Sequence, residues 1–214
     1  MKTLFWGILL LILVGIGGVV YRNAVEHPAQ PIACPIDAKL CPDGASVGRT
    51  GLSCTFPMCP PPNVSLESAS IAFAVPNGFV GSGFFDEASV AAYAPAAATS
   101  TASASIIIRR YAISASSTAL ATILETAVGA ASGAPVSPTS FTSAMFGPHR
   151  FTVVSIGRFE GVIDTAYYLA RGTDVLRFDA IDRGADWTNP SLDVSALRAH
   201  AALAKLLATL QSAS

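Results

Sequence analysis

The chain is poor in charge. Only 13% of its 214 residues are Asp, Glu, Lys or Arg, and the formal net charge is −1. No basic stripe or patch stands out, so the electrostatic footprint of a nucleic-acid binder is missing. No polybasic run is present to hold an anionic lipid surface. Histidine is scarce, with 3 residues in all. His149 and His200 are the two in the C-terminal part, and no Gly-x-Ser-x-Gly turn accompanies them, so the usual serine-hydrolase elbow is lacking. Cysteine is absent except at Cys34, Cys41, Cys54 and Cys59. Those residues lie close behind the one long apolar run.

That run spans Leu4 to Tyr21 and carries no charge. As a helix it rises about 27 Å, close to the roughly 30 Å of a bilayer core. A cleaved secretory signal has a shorter apolar core, and a small-x-small site follows it. Val19-Val20-Tyr21-Arg22-Asn23 offers no such site. The pattern predicts an uncleaved signal-anchor over 1–22, with a linker over 23–33. Gly15, Gly17 and Gly18 lie within the apolar run and lack the four-residue spacing of a helix-dimer motif.

Residues 34–59 are rich in Pro and Gly and show almost no hydrophobic periodicity. A segment so short cannot bury a core of its own. Cross-links are the usual remedy in an oxidising compartment. Zinc sites use cysteine pairs two to four residues apart, twice over, which this spacing fits poorly. Two disulfides are expected, and four cysteines allow three pairings. Ser46 to Arg49 reads as a short strand against Cys54 to Phe56. Cys41-Pro42-Asp43-Gly44, Val47-Gly48-Arg49, Cys54-Thr55-Phe56 and Cys59-Pro60 resemble a small cysteine motif found behind N-terminal membrane anchors in bacterial proteins. The resemblance implies a membrane-anchored, exported protein, and the cysteine usage places the C-terminal domain on the extracytoplasmic side.

Pro60-Pro61-Pro62 begins a stiff spacer over 60–65. Residues 66–214 are long enough to fold independently. Ile71, Phe73 and Val75 alternate as a strand, and Val90 to Tyr93 reads as a second. Ile106 to Ile113 is a β-branched run. A helix follows, capped by Ser116 or Ser117, with the stripe Leu120, Ile123, Leu124, Ala127 and Val128. Phe151 to Ile156, Val162 to Ala170 and Val175 to Ile181 form a meander. In its last strand Leu176, Phe178 and Ala180 point to the core, and Arg177 and Asp179 point to water. A final helix, capped by Asp193 or Ser195, carries Leu203, Leu206, Leu207 and Leu210.

This order predicts an α+β fold, with an antiparallel sheet of about five to six strands covered by helices. Phe73-Ala-Val-Pro76-Asn-Gly-Phe79, the β-branched run and the helix ending Leu207-Ala-Thr-Leu210 resemble the PsbP-like fold. That resemblance implies protein binding or an accessory role rather than catalysis.

Asp179, Asp182 and Asp186 crowd one stretch with Asn189 and Asp193, and they are the weak candidates for a metal. Their spacing misses the calcium-loop pattern, so turn and cap roles are expected and no metal or cofactor is assigned. Glu160 and Asp164 form a possible acid–base pair without a visible cause for a shifted pKa, and His200 is expected to be half exposed. Phe79, Phe84 and Phe85 interleave with Gly78, Gly81 and Gly83. With Trp187 they are the candidates for contact with a partner, set against the burial preference of Phe. The expected function is non-enzymatic. It is a tethered binding or assembly module for a protein partner or small ligand, held to the membrane through 4–21, without nucleic acid. The alternatives are an exported hydrolase with an acidic or metal-assisted site in 179–193, and a protease inhibitor acting through the cysteine module.

Overall fold

A computed structural model describes residues 6–7, 12–19, 21–22, 33–41, 46–97, 103–129 and 132–213. The chain divides into two units, one of residues 1–38 and 48–57, the other of residues 39–47 and 58–214.

In the first unit, residues 12–19 and 21–22 are helical. Among the described residues no helix is long and apolar enough to cross a membrane. The span expected over 4–21 lies partly outside the described residues, as do parts of the linker. Cys34 pairs with Cys54. Arg49 organises this unit: its Nε donates to both oxygens of Asp37 at 2.8 and 3.0 Å and Nη1 donates to the Cys54 carbonyl at 3.1 Å. Its guanidinium also lies 4.3 Å from the centre of the Phe56 ring. The Arg49 hydrogen bond holds the Asp37 carboxyl below its ordinary range. The Gly-Arg and Cys-Thr-Phe elements of the motif therefore meet at one guanidinium.

In the second unit Cys41 pairs with Cys59. All four cysteines are thus oxidised, and the pairing is first to third and second to fourth. β1 (Ala38–Leu40) and β2 (Ser46–Gly48) form a two-stranded ribbon. The strand expected from Ser46 therefore pairs with β1, and the contact with the Cys54 segment is a single bridge from Thr50 to Thr55.

Beyond the spacer lie β3 (Val64–Leu66), β4 (Ile71–Phe73), β5 (Phe79–Gly81), β6 (Ser89–Pro95) and β7 (Ala104–Ala112). Helix α1 (Ala119–Thr126) follows, then β8 (Thr142–Phe146), β9 (His149–Phe159), β10 (Val162–Ala170), β11 (Asp174–Arg183), helix α2 (Arg198–Ala208) and β12 (Gln211–Ser212). The fold is α+β. An antiparallel sheet runs β5-β6-β7-β11-β10-β9-β8, and a smaller one runs β12-β4-β3.

The main sheet has seven strands among the described residues, where the sequence predicted five to six. The Ile71 strand belongs to the small sheet, and the extra strands β5 and β8 are the two edges. Both are short, and an edge needs less apolar periodicity than a centre.

Strand alternation sends the two helices to opposite faces. On one face α2 lays Leu203, Leu206 and Leu207 against Ile106, Ile108, Leu176, Phe178 and Ala180. On the other, α1 lays Ile123 and Ala127 against Val154, Ile156, Ala166, Tyr168 and Val175. The stripe of α1 is narrower than predicted, since Leu120 is 58% exposed. Its cap is Thr118, whose Oγ1 accepts from the Ala121 N–H at 3.1 Å, rather than Ser116 or Ser117.

Candidate functional site

Buried polar groups cluster on both faces of the sheet, and β11 supplies carboxylates to each. Strand β11 is flanked by β7 and β10, and all its residues except Arg183 are buried. The sequence placed Arg177 and Asp179 on a wet face. Asp179 is fully buried and Arg177 is 8% exposed. The reason is position: β11 is the central strand of the sheet, and helices lie over both of its faces.

On the α1 face, Asp179 accepts from Arg177 Nε at 2.7 Å and from Arg109 Nη1. Arg109 Nε donates to Asp86 at 2.7 Å, and Asp86 also accepts from the Ser89 hydroxyl at 2.8 Å. Arg177 Nη1 donates at 2.6 Å to the carbonyl of Thr126, the last residue of α1. This ties the helix end to the ion cluster. Burial is the largest single influence on Arg177 and lowers its pKa, but the Asp179 charge and hydrogen bond together with the Tyr168 and Tyr111 phenols outweigh it, and the net shift is upward.

Asp164 lies on the same face of β10, beside a register shift between Asp164 and Thr165. Burial first, and the Asp179 charge second, push its carboxyl up to about 7. Its Oδ1 finds no hydrogen-bond partner among the described residues, and neither does the hydroxyl of Tyr168. Burial pushes that phenol up to about 12. Asp179 has two guanidinium partners, whereas Asp164 has an oxygen with none among the described residues. The expectation that Asp164 lacked a cause for a shift is corrected here. Its presumed partner Glu160 occupies the β9–β10 turn at φ +49°.

On the α2 face, Asp182 accepts from the Ala199 N–H at 2.9 and 3.1 Å, from the His200 N–H at 3.3 Å and from His200 Nδ1 at 2.7 Å. A carboxylate only accepts, so Nδ1 carries the proton. His200 Nε2 lies within hydrogen-bond distance of the Thr165 hydroxyl, at 2.9 Å. His200 is 3% exposed, not half exposed as predicted. Sequence periodicity missed this Thr165–His200–Asp182 line because its members come from β10, α2 and β11. Asp193 caps only the short turn at Val194–Ala196. The main helix begins later, and a distant carboxylate caps it.

The acidic stretch does not converge. Asp179 and Asp182 serve opposite faces. Asp186 accepts from the Thr188 hydroxyl at 2.7 Å, Asn189 from the Ser191 N–H at 2.9 Å, and Asp193 from the Ser195 hydroxyl at 2.6 Å. Among the described residues no group of three or more metal-ligating side chains forms. Among the aromatic candidates, Phe79 is buried, with the Arg198 guanidinium 5.8 Å from its ring centre. Phe84 is 72%, Phe85 52% and Trp187 40% exposed. The Trp187 carbonyl accepts from Arg158 Nε at 3.0 Å.

No family model matches the chain, and no curated protein does. Among solved structures it is similar to a protein from Bacteroides thetaiotaomicron VPI-5482, with 12% identity and a TM-score of 0.45 over 68% of this chain. The match spans 46% of that protein, so this chain covers less than half its length. It is also similar to cyanobacterial PsbP (CyanoP) from Synechocystis sp. PCC 6803, with 11% identity and a TM-score of 0.44, over 70% of this chain and 90% of that one.

Proposed function

We propose that this protein is a membrane-tethered, extracytoplasmic binding or assembly module, built on a PsbP-like arrangement and acting without catalysis. The observation that carries the reading is the oxidised state of all four cysteines directly behind the apolar run. Disulfides persist in oxidising compartments, and a chain delivered there by 4–21 has a bilayer at its N-terminal end. The residues suited to chemistry are occupied by structural bonds: Asp182 holds a helix terminus and both His200 nitrogens are engaged. Meanwhile Phe84, Phe85 and Trp187 present aromatic surface to solvent, which suits contact with a protein partner or small ligand. The test is alkylation of intact cells with a membrane-impermeant maleimide. All four sulfurs should react only after an impermeant reductant is added, and the protein should stay in the carbonate-washed membrane pellet. Free thiols reachable only after lysis would refute the location.

The Thr165–His200–Asp182 line favours a second reading, an exported hydrolase. With a neutral imidazole protonated at Nδ1, the order hydroxyl, imidazole, carboxylate is that of an activated nucleophile. Thr165→Val should then abolish any turnover of activated esters by the full chain. Equal background rates in both proteins would remove this reading.

A further inference from the structure

We propose that strand β8 is a self-association edge, through which two copies of this chain join their sheets about a two-fold axis. The two ends of the main sheet are unequal. At one end β5 has only three residues, Phe79–Gly81, and finishes in glycine. At the other, β8 runs Thr142-Ser143-Ala144-Met145-Phe146, with no charge, no proline and no bulge against β9. Sheets normally guard an edge with one of those devices. Among the described residues nothing pairs with the outer side of β8.

The hairpin fixes which groups are open. Phe146 pairs with His149 across a two-residue turn whose Gly147 has φ +55°. Such a turn makes the flanking pair hydrogen-bonded, and the pattern then alternates. The backbone groups of Phe146, Ala144 and Thr142 face β9, and those of Ser143 and Met145 face outward. An antiparallel copy centred on Ala144 sets Ser143 against Met145 and satisfies both. The strand is neutral, so its own copy meets no like charge, the usual penalty against self-pairing. Met145, 62% exposed, becomes covered. The opposite face closes too, with Ala144 facing its own image and Phe146 facing Thr142. This pairing requires only the sheet edge and holds with or without a membrane anchor.

The pairing places the two Ala144 residues in a non-hydrogen-bonded site, with Cα atoms about 4.5 Å apart, inside the range that a disulfide spans. Every described cysteine is already paired, so one introduced cysteine gives a clean signal. Full-length Ala144→Cys, mildly oxidised in detergent, should run as a covalent dimer, and Val80→Cys at the other edge should stay monomeric. Adding Met145→Lys should lower the dimer yield at least fivefold, and unmodified protein should sediment at twice the chain mass. Monomer at every concentration, equal cross-linking from both edges, or no effect of Met145→Lys would each overturn the proposal.

Discussion

At the scale of single residues, Asp164 contributes to how stability responds to pH. It is 8% exposed and one of its oxygens has no partner among the described residues. Its carboxyl ionises at about 7 when folded, against 3.8 for the unperturbed group. The folded state therefore binds this proton more tightly than the unfolded state. Its contribution to stability is complete below about pH 4 and is lost as pH rises through about 7. At about 1.4 kcal/mol per pH unit, the loss attributable to this group is on the order of 4–5 kcal/mol. Asp164→Asn keeps the shape and removes the titration. Urea melts at pH 5 and pH 8 should show wild type losing stability relative to the variant, and the variant should be the more stable at pH 8. Parallel pH profiles for the two proteins would disprove the assignment. Asp179 differs because Arg177 and Arg109 bind both of its oxygens. Removing one partner there leaves an unpaired buried charge, a costlier defect.

At the scale of elements, α2 depends on a residue that is distant in sequence. Leu197, at its N-terminal boundary, has no side chain able to accept a hydrogen bond. Asp182 instead reaches in from β11, accepts the first free N–H groups and complements the helix dipole. Asp182→Ala should therefore cost about 2–3 kcal/mol, as removal of a buried charged acceptor does. Asp193→Ala, which touches only the exposed turn before the helix, should cost under about 1 kcal/mol. Chemical denaturation of the two variants settles the order, and a larger loss for Asp193 would show that α2 is capped locally after all.

The same contrast explains what could be read in the sequence. Val162–Ala170 was legible to the residue, because alternation and turn residues bound it on both sides. The leucines of α2 were legible for the same reason. The polarity of β11 misled, because Arg177 and Asp179 look like a wet face until α1 covers them. The cap by Asp182 and the bond from His200 to Thr165 were not legible, since both join elements that only the folded sheet brings together. Strand β8 went unread because its outer side carries little apolar periodicity.

At the scale of the whole chain, two kinds of stabilisation are used in succession. Residues 66–213 have apolar cores on both faces of a sheet, with Phe73, Phe151, Phe178 and Leu203 fully buried. The cysteine module has no such core. Ile36, Leu40, Leu52 and Met58 are exposed, and Cys41 is its sole buried apolar residue among those described. Two cross-links with sequence separations of 20 and 18 do the work there, each contributing about 3 kcal/mol for loops of that length. The two regions should therefore respond separately to reductant. Limited trypsin digestion with reductant should cut rapidly at Lys39 and Arg49 and leave a resistant fragment containing the main sheet. Without reductant, those bonds should be cut much more slowly, and the Cys34–Cys54 and Cys41–Cys59 links should hold the three pieces together. Simultaneous loss of the module and the sheet fragment would mean that the disulfides stabilise the α+β domain itself. Unchanged digestion at Lys39 and Arg49 would mean that hydrogen bonds such as Arg49 to Asp37 suffice without them.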